Sequence, residues 1–227
     1  MESSSGEFEP QGKDFRIFNK EVLLKNGETI QLPGMHVQKM TLYHGSPVAG
    51  ITSLAEAEET TVGNGAYLTS QKEAAIGYAK IRSTRQNNTP IVYEAIISDI
   101  NIANLSTADG ISGFSQLLKG GLITKLEKWR KAASETGDLP SWTVVELASR
   151  NIDKIDKNTY DSLKDLTFSF GHLTRELLTK EGFGGLMTYE GGENSRNISI
   201  GTHDSFVIFN PKRAQIVKEE FLPRESK

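Results

Sequence analysis

Cysteine is absent from the 227 residues, so disulfide bonds and thiolate nucleophiles are excluded. Clustered basic residues are also lacking: Lys and Arg never run beyond two in a row, and the net charge is −3. A surface that follows nucleic-acid phosphates needs clustered Lys and Arg, so the composition disfavours a nucleic-acid target. No apolar segment approaches the roughly 20 residues that span a bilayer, and we expect no membrane association.

The polar, acidic start of the chain differs from a secretory signal, which has an apolar segment behind a basic end. We therefore expect a cytoplasmic working site. The hydrophobic fraction of 37% and the charged fraction of 24% are typical of a globular protein. A core of this size buries roughly 70–75% of the surface that the unfolded chain exposes, so folding needs no metal or disulfide.

The order in which strand-like and helical spacings of apolar residues follow one another predicts an α+β protein. Residues 1–14 have almost no apolar content and are expected to form a disordered tail, followed by a single domain over 15–225. Strand-like alternation comes first, helical spacing takes over from about 110 to 180, and strand-like segments return after it. Strands on both sides of a helical segment favour an α+β fold with a helical insertion.

Local sequence signals predict the positions of a hairpin, a helix and a strand. The pair Asn26-Gly27 lies between two apolar stretches and predicts a hairpin with a type I′ turn. Ser70, followed three residues later by an acid, predicts a capped helix with Tyr78 on its apolar face. The run SFVIF predicts a last strand that Pro211 ends.

Three short patterns place polar and aromatic residues at the ends of predicted strands. They are LYHGS at 42–46, GNGAYLTSQKEAAIGYA at 63–79 and HDSFVIFNPKRAQI at 203–216. Each pattern is weak when taken alone. A His-Gly pair is more often a turn, tyrosines near helices are usually core aromatics, and an Asp before a strand is usually a solvated turn residue.

In this order the three patterns resemble the ADP-ribosyltransferase superfamily, in its diphtheria-toxin/PARP-like branch with a His–Tyr–acid triad. The resemblance covers about residues 41–80 and 182–217. It implies an ADP-ribosyltransferase-like α+β fold, with a split β-sheet core around a cleft that binds NAD as a substrate. It implies no metal, and His36, His172 and His203 lack the spacing of metal ligands.

The resemblance also implies roles for the residues of the first two patterns. Gly45 would pair its N–H and C=O with the nicotinamide carboxamide, and the missing Cβ lets the backbone approach closely. His44 would hydrogen-bond a ribose hydroxyl. Tyr67 would stack on the nicotinamide and Tyr78 would form the other wall, since an aromatic face attracts a cationic ring. The expected NAD-binding set is completed by Tyr43 and Ser46.

The acid of the triad is where the sequence departs from the family. A carboxylate near the ribose would offset the positive charge of an oxocarbenium-like transition state. Alignment puts Ser205 at that position, with Asp204 one residue earlier. Neighbouring strand residues face opposite ways, so only a β-bulge would turn Asp204 into the same cleft. Glu190 and Glu193 are further candidates for the negative charge.

The expected function is mono-ADP-ribosyltransfer, in which NAD modifies a macromolecule, with a protein as the expected target. Toxin, effector and phage-borne members of the branch suggest a toxin or effector, which a host cell could receive. Three alternatives stay open: an NAD glycohydrolase, a catalytically silent module that binds NAD or ADP-ribose, and an unrelated α+β protein. The family's arginine-directed members carry a second acid where this chain has His203, which disfavours an arginine acceptor.

Overall fold

The computed structural model describes residues 14–24, 26–57, 63–107, 109–110, 112–114, 116–117, 171–172, 174–190, 200 and 203–223. Within these ranges seven strands form one mixed sheet, and the longest helix is α1, Lys72–Gln86. The strands are β1 Asp14–Leu23, β2 Thr29–Ser46, β3 Ala66–Leu68, β4 Ile91–Asn104, β5 Gly185–Glu190, β6 His203–Ile208 and β7 Ala214–Phe221. The predicted α+β class is confirmed.

Strand β4 divides the sheet into two parts. Along one edge it pairs antiparallel with β2 over most of its length. Along the other edge, 91–97 pairs with β7 and 102–104 pairs in parallel with β5. The change of partner falls around Asp99, whose φ of 48° departs from strand geometry. Beyond β5 the sheet continues through β6 to β3, so the expected split of the sheet is present.

The β1–β2 hairpin forms where the sequence predicts it, but its turn is of another type. Gly27 has a φ of 84°, whereas Asn26 does not adopt a positive φ. Gly27 donates its N–H to the Leu24 carbonyl at 3.0 Å, and the Asn26 side chain accepts from Glu28 N at 3.0 Å. A tight turn followed by one left-handed glycine satisfies these groups, and the type I′ prediction is wrong.

Helix α1 begins at Lys72 rather than directly after Ser70. Its N-cap is Gln71, which makes no side-chain capping bond. The predicted Ser70 cap is wrong because the Ser70 hydroxyl donates to Asp204 instead. The helix ends at Gln86, and its C-cap Asn87 takes the left-handed conformation that allows its N–H to reach the Ser83 carbonyl.

Two apolar clusters pack on opposite faces of the sheet, and neighbouring residues of β6 alternate between them. Val207 belongs to the cluster that contains Phe114, Phe183 and Leu186. The other cluster, which contains Met40 and Leu42, takes the two neighbours of Val207: Phe206 and Ile208. This alternation fixes the faces of the polar residues that precede them on the same strand.

Three sequence expectations concern the last strand, the helical insertion and the N-terminal tail. The strand ended by Pro211 is not the last one, because β7 follows it and pairs with β4. The predicted insertion at 110–180 lies mostly outside the described residues, and its described parts at 112–114, 116–117, 171–172 and 174–180 are helical. Of the predicted tail, residues 1–13 lie outside the described residues, while Asp14 begins β1.

Candidate functional site

The first two sequence patterns meet where β2 and β3 separate. Tyr43 donates its N–H to the Thr69 carbonyl at 2.7 Å, and Thr69 donates back to the Tyr43 carbonyl at 2.9 Å. Within the described residues, this isolated bridge pairs the backbones of the two segments. Continuing its register would set Gly45 opposite Tyr67. The strands diverge there instead, and the His44 side chain spans the gap.

His44 is fixed by a hydrogen bond that also defines its tautomer. Its Nδ1 lies 2.8 Å from the Tyr67 carbonyl oxygen. A carbonyl only accepts, so the proton sits on Nδ1 and the neutral ring carries its lone pair on Nε2. Burial lowers the pKa of His44 from the usual 6.5, the charge of Arg82 lowers it further, and the bond to Tyr67 opposes both only in part. His44 is therefore neutral near pH 7 and offers Nε2 as an acceptor.

The lowered pKa of His44 predicts how NAD affinity should depend on pH. Protonation would convert Nε2 from an acceptor into a donor and remove its bond to a ribose hydroxyl. Because the folded-state pKa is depressed, the neutral form persists below 6.5. We expect the Kd for NAD, measured by calorimetry, to stay constant from about pH 8 down to pH 6.5. Below the pKa it should rise by at most about tenfold per pH unit, the limit for one linked proton.

The same titration on His36→Gln is the control, since His36 lies on the part of β2 far from His44 and bonds to Asn101 of β4. Weakening centred at or above pH 6.5 in both proteins would contradict the assignment of the acceptor to His44.

Gly45 lies directly against α1. A Cβ at this position would stand 2.1 Å from the Ala75 carbonyl oxygen and 2.6 Å from Ala79 N. The glycine is therefore required by the packing of the helix on β2. Backbone groups of alternate strand residues point the same way, so the N–H and C=O of Gly45 point to the side that Tyr43 uses for its bridge to Thr69. The sequence-based reason for a glycine here is the close approach of the nicotinamide carboxamide, whereas the close neighbour that the structure shows is α1.

The two tyrosines of the second pattern are held by different contacts. The Tyr67 hydroxyl donates to the Gly63 carbonyl at 3.0 Å, and its ring packs against the cluster that contains Val207. Tyr78, on α1, is half-buried, and its hydroxyl lies 3.1 Å from His203 Nε2. Tyr67 and Tyr78 therefore both border the face of β6 that carries Val207.

Ser46, the last residue of the first pattern, is buried. Its hydroxyl accepts from Val48 N at 3.1 Å and orders the turn that leaves β2.

The structure separates the two candidates for the third position of the triad. Asp204 Oδ1 accepts from Thr69 Oγ1 and from Ser70 N, each at 2.8 Å, and Oδ2 accepts from the Ser70 hydroxyl. Ser205 lies on the opposite face, the face of Val207. The β5–β6 register runs without a shift through both residues, so the bulge that would turn Asp204 is not formed.

The other acidic candidates are only partly described. Glu190 ends β5 and is the Cα partner of His203. Glu193 lies outside the described residues. Thr188, the Cα partner of Ser205, has a buried hydroxyl that finds no hydrogen-bond partner within the described ranges. Thr188 was not singled out by the sequence, because a threonine within an apolar strand carries no signal of its own.

A network that the sequence does not reveal holds the loop after Ser46. Tyr93 Oη lies 2.6 Å from Glu219 Oε1 and 2.8 Å from the Val48 carbonyl oxygen. Gly50 N donates to the same Glu219 oxygen at 2.7 Å. Burial and the neighbouring Glu219 raise the pKa of Tyr93 to about 12, so the hydroxyl stays protonated. The loop that leaves the candidate site is thereby tied to β4 and β7.

Neither a metal centre nor a membrane span emerges from the parts of the chain that the structure describes. They contain no group of three or more His, Cys, Asp or Glu residues arranged to hold a metal ion. None of the described helices is long and apolar enough to cross a membrane.

Comparisons with known proteins give one similar structure. No protein-family model matches the chain, and no curated protein matches it. The chain is similar to a chain in the crystal structure of the M. tuberculosis MbcT–MbcA toxin–antitoxin complex. The TM-score is 0.41 and the identity 10%, over 83% of this chain and 87% of that one. The function must therefore be argued from the site itself.

Proposed function

We propose that this chain binds NAD where β2 and β3 diverge and breaks the nicotinamide–ribose bond, as an ADP-ribosyltransferase that modifies a protein. The observation that carries the proposal is the hydrogen bond between His44 and Tyr67. The bond between His44 Nδ1 and the Tyr67 carbonyl bridges two separating strands and leaves Nε2 as an acceptor. Gly45, beside it, directs its backbone groups to the same side as Tyr43.

These groups match the two ends of the bond to be broken. The N–H and C=O of Gly45 complement a carboxamide, which has one acceptor and one donor side. His44 Nε2 can accept from a ribose hydroxyl, and the rings of Tyr67 and Tyr78 supply faces for the cationic nicotinamide. Such a set fixes both the leaving group and the sugar.

The reaction that follows is a substitution at the ribose C1′. The C1′–N bond breaks and its electron pair leaves with neutral nicotinamide, while positive charge develops on the ribose. A nucleophile of the target protein then forms the new bond to C1′ and releases its proton. With Asp204 engaged by Thr69 and Ser70, Ser205 occupies the third position, and we assign the offsetting negative charge to Glu190 or Glu193.

Nicotinamide release from NAD tests this function directly. We expect the purified protein to release nicotinamide, and His44→Ala and Tyr67→Ala each to lose about tenfold or more in kcat/KM, the effect of a lost hydrogen bond or ring contact. His172→Ala is the matched control, because His172 is exposed and lies outside the site. Variants as active as the wild type would show that the site is elsewhere.

A second function is favoured by the bonds of Asp204. A protein that keeps the cleft but presents no acid there would bind NAD without cleaving it. Calorimetric binding of NAD with no nicotinamide release, even with cell lysate as acceptor, would identify this silent module. Release in buffer alone, with no label transferred from NAD to protein, would identify a glycohydrolase.

A further inference from the structure

His203 and Tyr78 form a pair that joins β6 to α1 across 125 positions of sequence. The Tyr78 hydroxyl lies 3.1 Å from His203 Nε2. The two rings also meet edge to face, with centroids 5.4 Å apart and planes at 75°. A hydrogen bond and an aromatic contact between the same two side chains fix both the position and the tilt of the phenol ring.

The two partners differ in how deeply they are buried. His203 is 1% exposed, at the start of a strand that is buried throughout. Tyr78 is half-buried on a helix whose buried residues are all small, namely Ala74, Ala75, Ala79 and Ser83. His203 is therefore the more deeply buried partner of the pair.

Strand alternation gives the two neighbours His203 and Asp204 separate tasks. Asp204 accepts from Thr69 and Ser70, at the junction between β3 and α1. His203 lies on the other face, which it shares with Ser205, and there it contacts Tyr78. Asp204 thus fixes where α1 begins, and His203, the residue before it, contacts the aromatic ring that α1 carries.

We infer that His203 is a positioning residue, which holds the Tyr78 ring in place as a preformed wall for the nicotinamide. The inference rests on the proposed function. A ring that is ordered before binding spares the complex the entropy of immobilising a side chain. The benefit falls on substrate affinity rather than on the chemical step, so losing the pair should raise KM and leave kcat nearly unchanged.

Kinetics of Tyr78→Phe, His203→Phe and the double variant test this role. Phenylalanine keeps a ring at either position and removes the hydrogen bond. Each single change should raise the KM for NAD about twofold to twelvefold, the range for one hydrogen bond. The double variant should be no worse than the singles, and His203→Gln, which retains a polar group, should recover part of the loss. Unchanged KM values, or effects that add, would overturn the inference.

A nitrogen NMR spectrum of the histidine rings provides a readout that does not depend on NAD. Tyr78→Phe should move the ring-nitrogen signals of His203 and leave those of His44 in place, and His172→Gln serves to assign the exposed ring. If His203→Phe does not fold, the spectrum of Tyr78→Phe still tests the inference. A His203 signal that does not move, in a protein that still cleaves NAD, overturns the inference alone. A wild type that neither binds nor cleaves NAD overturns the proposed function.

Discussion

Asp204→Ala is expected to destabilise the protein by about 3–5 kcal/mol. The carboxylate is 1% exposed and accepts from Thr69 Oγ1, Ser70 N and the Ser70 hydroxyl. A hydrogen bond to a charged group contributes about 1.5–3 kcal/mol, and the donors left behind would be unsatisfied. Neighbouring bonds are not additive, which sets the upper end of the range. Urea unfolding measures the change in the free energy of unfolding.

Asp204→Asn separates a structural role for this residue from a catalytic one. The amide keeps an oxygen that can accept from Thr69 and Ser70 N, and its NH₂ group can donate to the Ser70 hydroxyl. We expect a loss of only about 1–2 kcal/mol, with nicotinamide release largely retained in the folded protein. If the variant were stable but inactive, Asp204 would be the acid of the reaction, and our assignment of the negative charge to Glu190 or Glu193 would be wrong.

Gly45→Ala is expected to reduce nicotinamide release about a hundredfold while the protein still folds. The added Cβ would stand 2.1 Å from the Ala75 carbonyl oxygen and 2.6 Å from Ala79 N. Both are backbone atoms, so no side chain can rotate away and α1 must move off β2. Overpacking of this kind costs about 1–3 kcal/mol. Because α1 carries Tyr78, a shift of about 1 Å would misplace the wall of the site, and such a shift can cost about 10² in rate.

Gly34→Ala, in the same strand, is the matched control. Its Cβ would meet ring atoms of Phe18 at 2.7 Å and Phe183 at 2.8 Å, which are also too close for a real Cβ. These neighbours are side-chain atoms rather than backbone, so they can adjust without moving α1. We expect melting temperatures to fall in both variants, but kcat/KM per folded molecule to fall only in Gly45→Ala. Equal losses of kcat/KM would show that the effect of Gly45→Ala is one of general stability.

Local patterns predicted much of the fold because they rest on contacts between near neighbours. The hairpin at Asn26-Gly27, the helix after Ser70 and the apolar strand before Pro211 all form. Strand β7 was missed because its sequence, AQIVKEEF, is largely exposed and carries three consecutive charged residues. It is a strand because β4 offers it a free edge, which is information held 120 residues away.

The sequence identified the candidate site residues, but not the contacts between them. Alternation alone indicated that Asp204 and Ser205 face opposite ways, and the structure agrees. The bonds from His44 to the Tyr67 carbonyl and from Tyr78 to His203 depend on how strands meet in space. Ser70 shows why a local rule fails: a hydroxyl suited to capping a helix is taken by a buried carboxylate from a distant strand.

The single bridge between Tyr43 and Thr69 closes a ring of strands, since β2, β4, β5, β6 and β3 are each paired to the next. Its two backbone hydrogen bonds connect the β2 and β3 segments and so close a small, incomplete barrel. Parting them would leave β2 attached to β4 and β3 attached to β6, so the barrel could widen without losing any strand. Under the proposed function, this bridge and the neighbouring bond from His44 to Tyr67 lie at the place where the nicotinamide ring would bind.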